Sequence, residues 1–253
     1  MIEVADLSPW LFVVAPLVIV VAYTIFGLSG FGSTIIAVPL LAHFLPVTFL
    51  VPLMALLDVA AAALVGHQSR EHMSREEMKN LLPFILVGFV VGTTVLVGVP
   101  QDGLRAALGV FAAVVGVNSI VNPTLHKRIS RLWSVPAGIT GGAIASVFGA
   151  GGPIYATYLS GRMDDKNAIR ATMSSLISIS AIVRAILYAI TGLLIHAAIL
   201  GGAAILAPFV WLGLRTGTRI HTGFTQQQMR RTIGVLLVLT GLSLLVRVLV
   251  GHL

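Results

Sequence analysis

The chain contains no cysteine. That excludes disulfides and thiolate metal sites, and it leaves the redox compartment unreadable. Charge is scarce too. Only 10% of the 253 residues are Asp, Glu, Lys or Arg, against about 25% in a soluble domain. No Lys or Arg precedes Arg70. The opening stretch MIEVADLSPW, with Glu3 and Asp6, therefore lacks the basic start of a signal peptide, and residues 9–26 are expected to stay in the mature protein. No Gly-Lys-Ser/Thr P-loop occurs, so ATP is not the expected driver. The histidines His43 and His196 have no spacing match to a metal site, and neither a metal nor another cofactor is expected.

What the chain has instead is apolar length. Hydrophobic residues make up 57% of the sequence and the mean hydropathy is +0.99. Several runs of about 20 apolar residues carry no interior charge, the pattern of transmembrane helices. The net charge of +7 comes from basic residues in short loops between those runs. That is the pattern of the positive-inside rule, so the partner is a lipid bilayer and not nucleic acid. A multi-pass protein of the cell membrane, the bacterial inner membrane, is expected.

The first apolar stretch runs from Pro9 to Leu45 and is interrupted between Gly27 and Gly32. Its limbs, 9–26 and 33–45, would reach roughly 27 and 20 Å as helices. Plain spans follow at 47–66, 80–99 and 104–121, then a basic connector. The stretch 134–159 is broken again, by Ser146-Val-Phe-Gly149-Ala-Gly151-Gly152-Pro153. Its limbs, about 14 and 7 residues, are too short to cross a core of roughly 30 Å separately. Spans at 171–191, 193–214 and 232–250 complete the chain. Gly30 and Gly32 match Gly149 and Gly151 at a shift of 119 residues. The expected organisation is a first membrane repeat at 1–122, a cytoplasmic connector at 123–133 and a second repeat at 134–253.

Charge counting selects a topology. If each broken segment crossed once, the two sides would hold seven and eight basic residues. If 134–159 dips in and returns, thirteen fall on one side, and only Arg105 and Arg247 lie opposite. The positive-inside rule prefers the second arrangement. The expected fold is an all-α integral membrane protein of two inverted repeats. Each repeat is a Gly-broken, re-entrant segment plus three transmembrane helices. The return of the first segment follows from symmetry alone, because it has no basic residue to count.

Irregular backbone at membrane depth must be buried in protein or line a cavity. The limbs after the breaks begin at glycine turns, where free N–H groups and a partial positive charge are exposed. Gly30, Gly32, Ser33 and Thr34 from one break, and Gly149, Gly151 and Gly152 from the other, are the expected substrate-binding set for a small anion. Pro153 suits a first helical position. Arg184 is the one basic residue well inside a span, away from its ends, and joins the set as a fixed cation. Asp58, central in its span, is the candidate coupling carboxylate or a structural partner of Arg184. Ser174, Ser175 and Ser178 are expected to bond back to their own helix. Gly27-Leu-Ser29-Gly30 matches the Gly-x-Ser-Gly of intramembrane serine proteases, but a catalytic Ser29 would need His43 or His196 at its own depth. An anion channel is the other alternative. No catalytic residue is assigned, and a homodimer is compatible with the sequence.

The runs GLSGFGSTIIAVPLLAHFLP (27–46) and GGAIASVFGAGGPIYATYLSGR (141–162) resemble the TauE/SafE sulfite-exporter family of membrane transporters. In that family each half opens with a Gly-x-x-Gly-x-Gly-Gly-like stretch followed by an apolar, proline-containing segment. The resemblance extends over essentially the whole chain. Ser33 stands in place of the usual second glycine, and Pro153 directly follows Gly152 without a counterpart of the Pro39 spacing. The resemblance implies a secondary transporter, an exporter, of a small sulfur-containing anion such as sulfite or a sulfoacetate-like organosulfonate.

Overall fold

The computed structural model describes residues 10–29, 32–65, 73–121, 128–219 and 226–250. These form ten α-helices: α1 Leu11–Ser29, α2 Ser33–Leu41, α3 Val47–Val65, α4 Arg75–Gly98, α5 Gln101–Val121, α6 Ser134–Phe148, α7 Gly152–Arg162, α8 Lys166–Ile190, α9 Ala197–Arg219 and α10 Gln226–Val250. Among the described residues there is no strand. Seven helices, α1, α3, α4, α5, α8, α9 and α10, are long and apolar enough to cross a membrane. The apolar outer faces, with residues such as Val90, Val114 and Leu239, are exposed as lipid-facing surfaces should be.

Several helices extend past the apolar runs that define them in the sequence. α4 starts at Arg75 because Ser74 caps it, its hydroxyl accepting from the Glu77 N–H at 3.4 Å. α8 starts at Lys166 because the Asp165 carboxylate accepts from the Asn167 N–H at 2.9 Å. α1 continues through Gly27 and Leu28, so the first break is narrower than the Gly27–Gly32 interruption suggests. The α7 limb is also longer than expected, at 11 residues. At about 16 Å it still cannot cross a hydrocarbon core alone.

Glycines set the helix directions by letting backbones touch. Gly88 of α4 lies against Ile139 to Ala143 of α6, and Gly92 against Ala143 and Ser146, so α4 and α6 run parallel. Gly213 of α9 meets Val20 and Thr24 of α1, and Gly217 meets Thr24 and Gly27, so α1 and α9 also run parallel. Gly109 and Gly116 of α5 meet Gly241 and Gly234 of α10 in reverse order, so that pair is antiparallel. Small residues at such crossings supply the close packing that lipid cannot drive hydrophobically.

α6 and α7 form a hairpin whose outer ends lie together. The Ile129 N–H donates to the Gly161 carbonyl at 2.9 Å, and Arg128 pairs with Asp164 at 3.2 Å. The start of α4 joins the same end. Buried Glu77 accepts from the Tyr158 hydroxyl at 2.7 Å and from Arg162 Nε at 3.0 Å, while Arg131 pairs with Glu76 at 3.5 Å and bonds Asn80. At the opposite end, α2 finishes beside α10. His43 Nε2 shares a hydrogen bond of 3.0 Å with Ser243, and Arg247 donates to the His43 carbonyl.

A candidate anion site between two broken helices

Two left-handed glycines end the broken limbs. Gly32, with φ 105°, immediately precedes α2, and Gly149, with φ 71°, ends α6. The turns touch. A Cβ built on Gly149 would overlap Thr34 Cγ2 and lie 3.2 Å from an Arg184 nitrogen. Gly32, Ser33, Thr34, Asp58, Gly149, Gly151, Gly152 and Arg184 all line one small cavity. Of the residues singled out from the sequence, Gly30 lies outside those described. So does the side chain of Ser29, although its backbone closes α1.

The two charged residues of the cavity, Asp58 and Arg184, cap ends of the broken segments. Asp58 comes from α3 and is 5% exposed. Its Oδ1 accepts from the Tyr23 hydroxyl at 2.7 Å and the Ser33 hydroxyl at 3.0 Å. Its Oδ2 accepts from the Thr34 hydroxyl at 2.9 Å and from Arg184 Nη2 at 3.1 Å. A carboxylate thus sits at the N-terminus of α2, where the helix dipole favours negative charge. Arg184 comes from α8 and is 2% exposed. It is enclosed by protein and does not reach an interface. Its Nη1 donates to the Ala145 carbonyl at 3.1 Å, and the Tyr188 hydroxyl donates to the Ser146 carbonyl at 2.5 Å. These carbonyls belong to the last turn of α6, where Ala145 also accepts the Gly149 N–H at 2.9 Å. A cation at that end is the favourable sign.

The glycines divide by role. A Cβ on Gly151 would meet the Gly141 carbonyl at 2.6 Å and Ala145 Cβ at 2.8 Å, so this residue closes the α6–α7 hairpin on itself. Gly149 instead brings the two broken segments into contact. His43 Nδ1 lies 3.1 Å from the Pro39 carbonyl and tethers the end of α2. Ser178 donates to the Ser174 carbonyl at 2.9 Å, within its own helix.

Tyr23, Tyr155, Ser180 and Tyr188 were not singled out from the sequence. Helical spacing carried a signal for two of them. Ser180 lies four residues before Arg184, on the same face of α8. Tyr155 lies three residues after Gly152, one turn into α7. Tyr23 carries no local signal, because its partner is 35 residues away.

Apolar helices, paired broken segments and a charged cavity between them have the form of a multi-pass membrane transporter. The chain belongs to the sulfite exporter TauE/SafE family, whose profile matches residues 15–244. It is 27% identical over 195 residues to the "Probable inner membrane transporter protein TsaS" of Comamonas testosteroni, covering 76% of this chain and 81% of that protein. No solved structure is significantly similar to the chain.

Proposed function

We propose that the protein is a secondary transporter that exports a small sulfur oxyanion, sulfite or a sulfoacetate-like organosulfonate, through a site between two inverted repeats. The observation that carries this reading is the contact of two glycine turns at a buried cavity holding a fixed guanidinium. Guanidinium stays ionised and matches pairs of oxyanion oxygens. The helix directions support inversion. α1, opening the first half, runs parallel to α9 of the second, and α6, opening the second, runs parallel to α4 of the first. The end holding Arg128, Arg131, Arg162 and the start of α4 is assigned to the cytoplasm, following the positive-inside rule. The second hairpin then enters from the cytoplasm and the first from outside.

Energetics favour export. With the interior negative, an outgoing anion gains about 2.3 kcal/mol per charge per 100 mV. A divalent anion leaves without a coupling ion, and for other modes Asp58 is the candidate coupling carboxylate. The buried lining favours a carrier over an open channel. The test is flux from proteoliposomes loaded with sulfite, thiosulfate, sulfoacetate, taurine or carboxylate analogues. Export of a sulfur oxyanion, faster when the interior is made negative, is expected. Absence of flux for every sulfur anion would overturn the reading.

A further inference from the structure

The two sides of the cavity are chemically unequal, and this decides what the anion would touch. At the 119-residue shift, Ser33 and Thr34 align with Gly152 and Pro153, Asp58 with Ile177, and Tyr155 with Ile36. Ser180 aligns with Ala61 and Arg184 with Val65. On the α2 side the position for an anion is already filled. The hydroxyls of Ser33 and Thr34 donate to Asp58, which takes four donors in all. On the α7 side the Tyr155 and Ser180 hydroxyls lie near each other, and Tyr188 lies near Arg184. Arg184 Nε, the Tyr155 hydroxyl and the Ser180 hydroxyl are buried and make no hydrogen bond of normal geometry. Their residues are 2%, 1% and 3% exposed and all line the cavity. Beside them lies the N-terminus of α7, at Gly152. Buried polar atoms in folded proteins almost always have partners, and each exception calls for one.

We infer that Tyr155, Ser180 and Arg184 Nε form the substrate-binding face, and that it recognises a terminal SO3 group carrying no positively charged substituent. This rests on the transport reading above. Three donors, one on α7 and two on α8, suit three terminal oxygens better than the two of a carboxylate. The exclusion of cationic substituents has a separate cause. Among the described residues Asp58 is the only acidic one lining the cavity, and its oxygens already take four donors. An ammonium such as that of taurine would find no free carboxylate. The space is also small. The centre of a water-sized sphere can move through about 30 Å³, room for roughly two waters. A free sulfite or the head of a short sulfonate matches that scale.

The test measures binding of sulfite, methanesulfonate, acetate and taurine to the purified full-length protein. The variants are Tyr155→Phe, Ser180→Ala and, as a control away from the lining, Ser178→Ala. The parent should bind methanesulfonate well above acetate, with taurine weakest. Each of the first two variants should weaken sulfite and methanesulfonate binding by about tenfold or more, the scale of a hydrogen bond to a charged group. Acetate binding should change less, so the selectivity ratio falls. Thermal stability without ligand should hold or rise, because each variant removes a buried hydroxyl that lacks a partner. A hydroxyl with a structural role would do the reverse, lowering stability and leaving selectivity unchanged. If the parent binds sulfite while both variants bind it within twofold of the parent, the donor assignment is wrong and the transport reading survives. If the parent binds no sulfur anion, the transport reading fails first.

Discussion

Replacing Arg184 by Gln removes the cation paired with Asp58. Both residues are almost wholly buried and meet at 3.1 Å. The variant leaves Asp58 with three neutral hydroxyl donors, from Tyr23, Ser33 and Thr34. It also takes a donor from the Ala145 carbonyl in the last turn of α6. Breaking a buried pair on one side costs about 3–5 kcal/mol, chiefly because an unpaired charge remains in a low-dielectric setting. Asp58→Asn strands the guanidinium instead. Its loss should be smaller, because Arg184 keeps the Ala145 carbonyl and the negative end of α6.

The double variant is the decisive one. Arg184→Gln with Asp58→Asn leaves neutral amides that can bond one another, so no buried charge is stranded. Its stability loss should be less than that of Arg184→Gln alone, giving a coupling of about 2 kcal/mol or more across the cycle. The assay is unfolding of purified protein in mixed micelles, with secondary structure as the readout. Losses that simply add would mean that the two charges do not stabilise one another, and the mutual capping described here would be wrong.

Four further outcomes follow from the same geometry. Arg184→Lys should keep part of the anion binding and Arg184→Gln should lose it, measured on correctly folded protein; full binding by the Gln variant would remove Arg184 from the site. Asp58→Asn should slow transport while anion binding persists on folded protein, and an unchanged transport rate would leave Asp58 structural. Single cysteines at Ser130 and Asn167 should be labelled from one side of the membrane and a cysteine at Phe44 from the other; any other pattern would break the inverted arrangement. Gly149→Ala should cost about 1–2 kcal/mol for its left-handed backbone plus an overlap with Thr34 Cγ2. Adding Thr34→Ser should relieve the overlap alone, read as partial recovery of melting temperature.

Much of this architecture was legible because a bilayer makes simple demands on sequence. Apolar length identified the spans, and the paired glycine interruptions located both breaks. The loop charges led to the expectation that residues 134–159 return to the side they leave, and the Ile129 N–H bonds the Gly161 carbonyl at 2.9 Å. The helix starts were less visible, because Ser74 and Asp165 cap polar turns that hydropathy reads as loop. The composition of the site was only half visible. A buried charge inside a span stands out, so Arg184 and Asp58 were found. Tyrosines in apolar helices do not, and Tyr23, Tyr155 and Tyr188 declare a role only through partners, or missing partners, on other elements.

The charges also explain how two interrupted helices can persist inside a membrane protein. A break at depth exposes orphan carbonyls at one end and orphan N–H groups at the other, and lipid can satisfy neither. Here each half supplies its own remedy. The first break receives a carboxylate from α3 and the second a guanidinium from α8. The ion pair between the two groups then joins one half to the other. A ligand bound beside Arg184 Nε would add negative charge next to the Asp58–Arg184 pair. The pair would then loosen. That would release the grip of one hairpin on the other, the coupling between binding and movement that an alternating carrier requires.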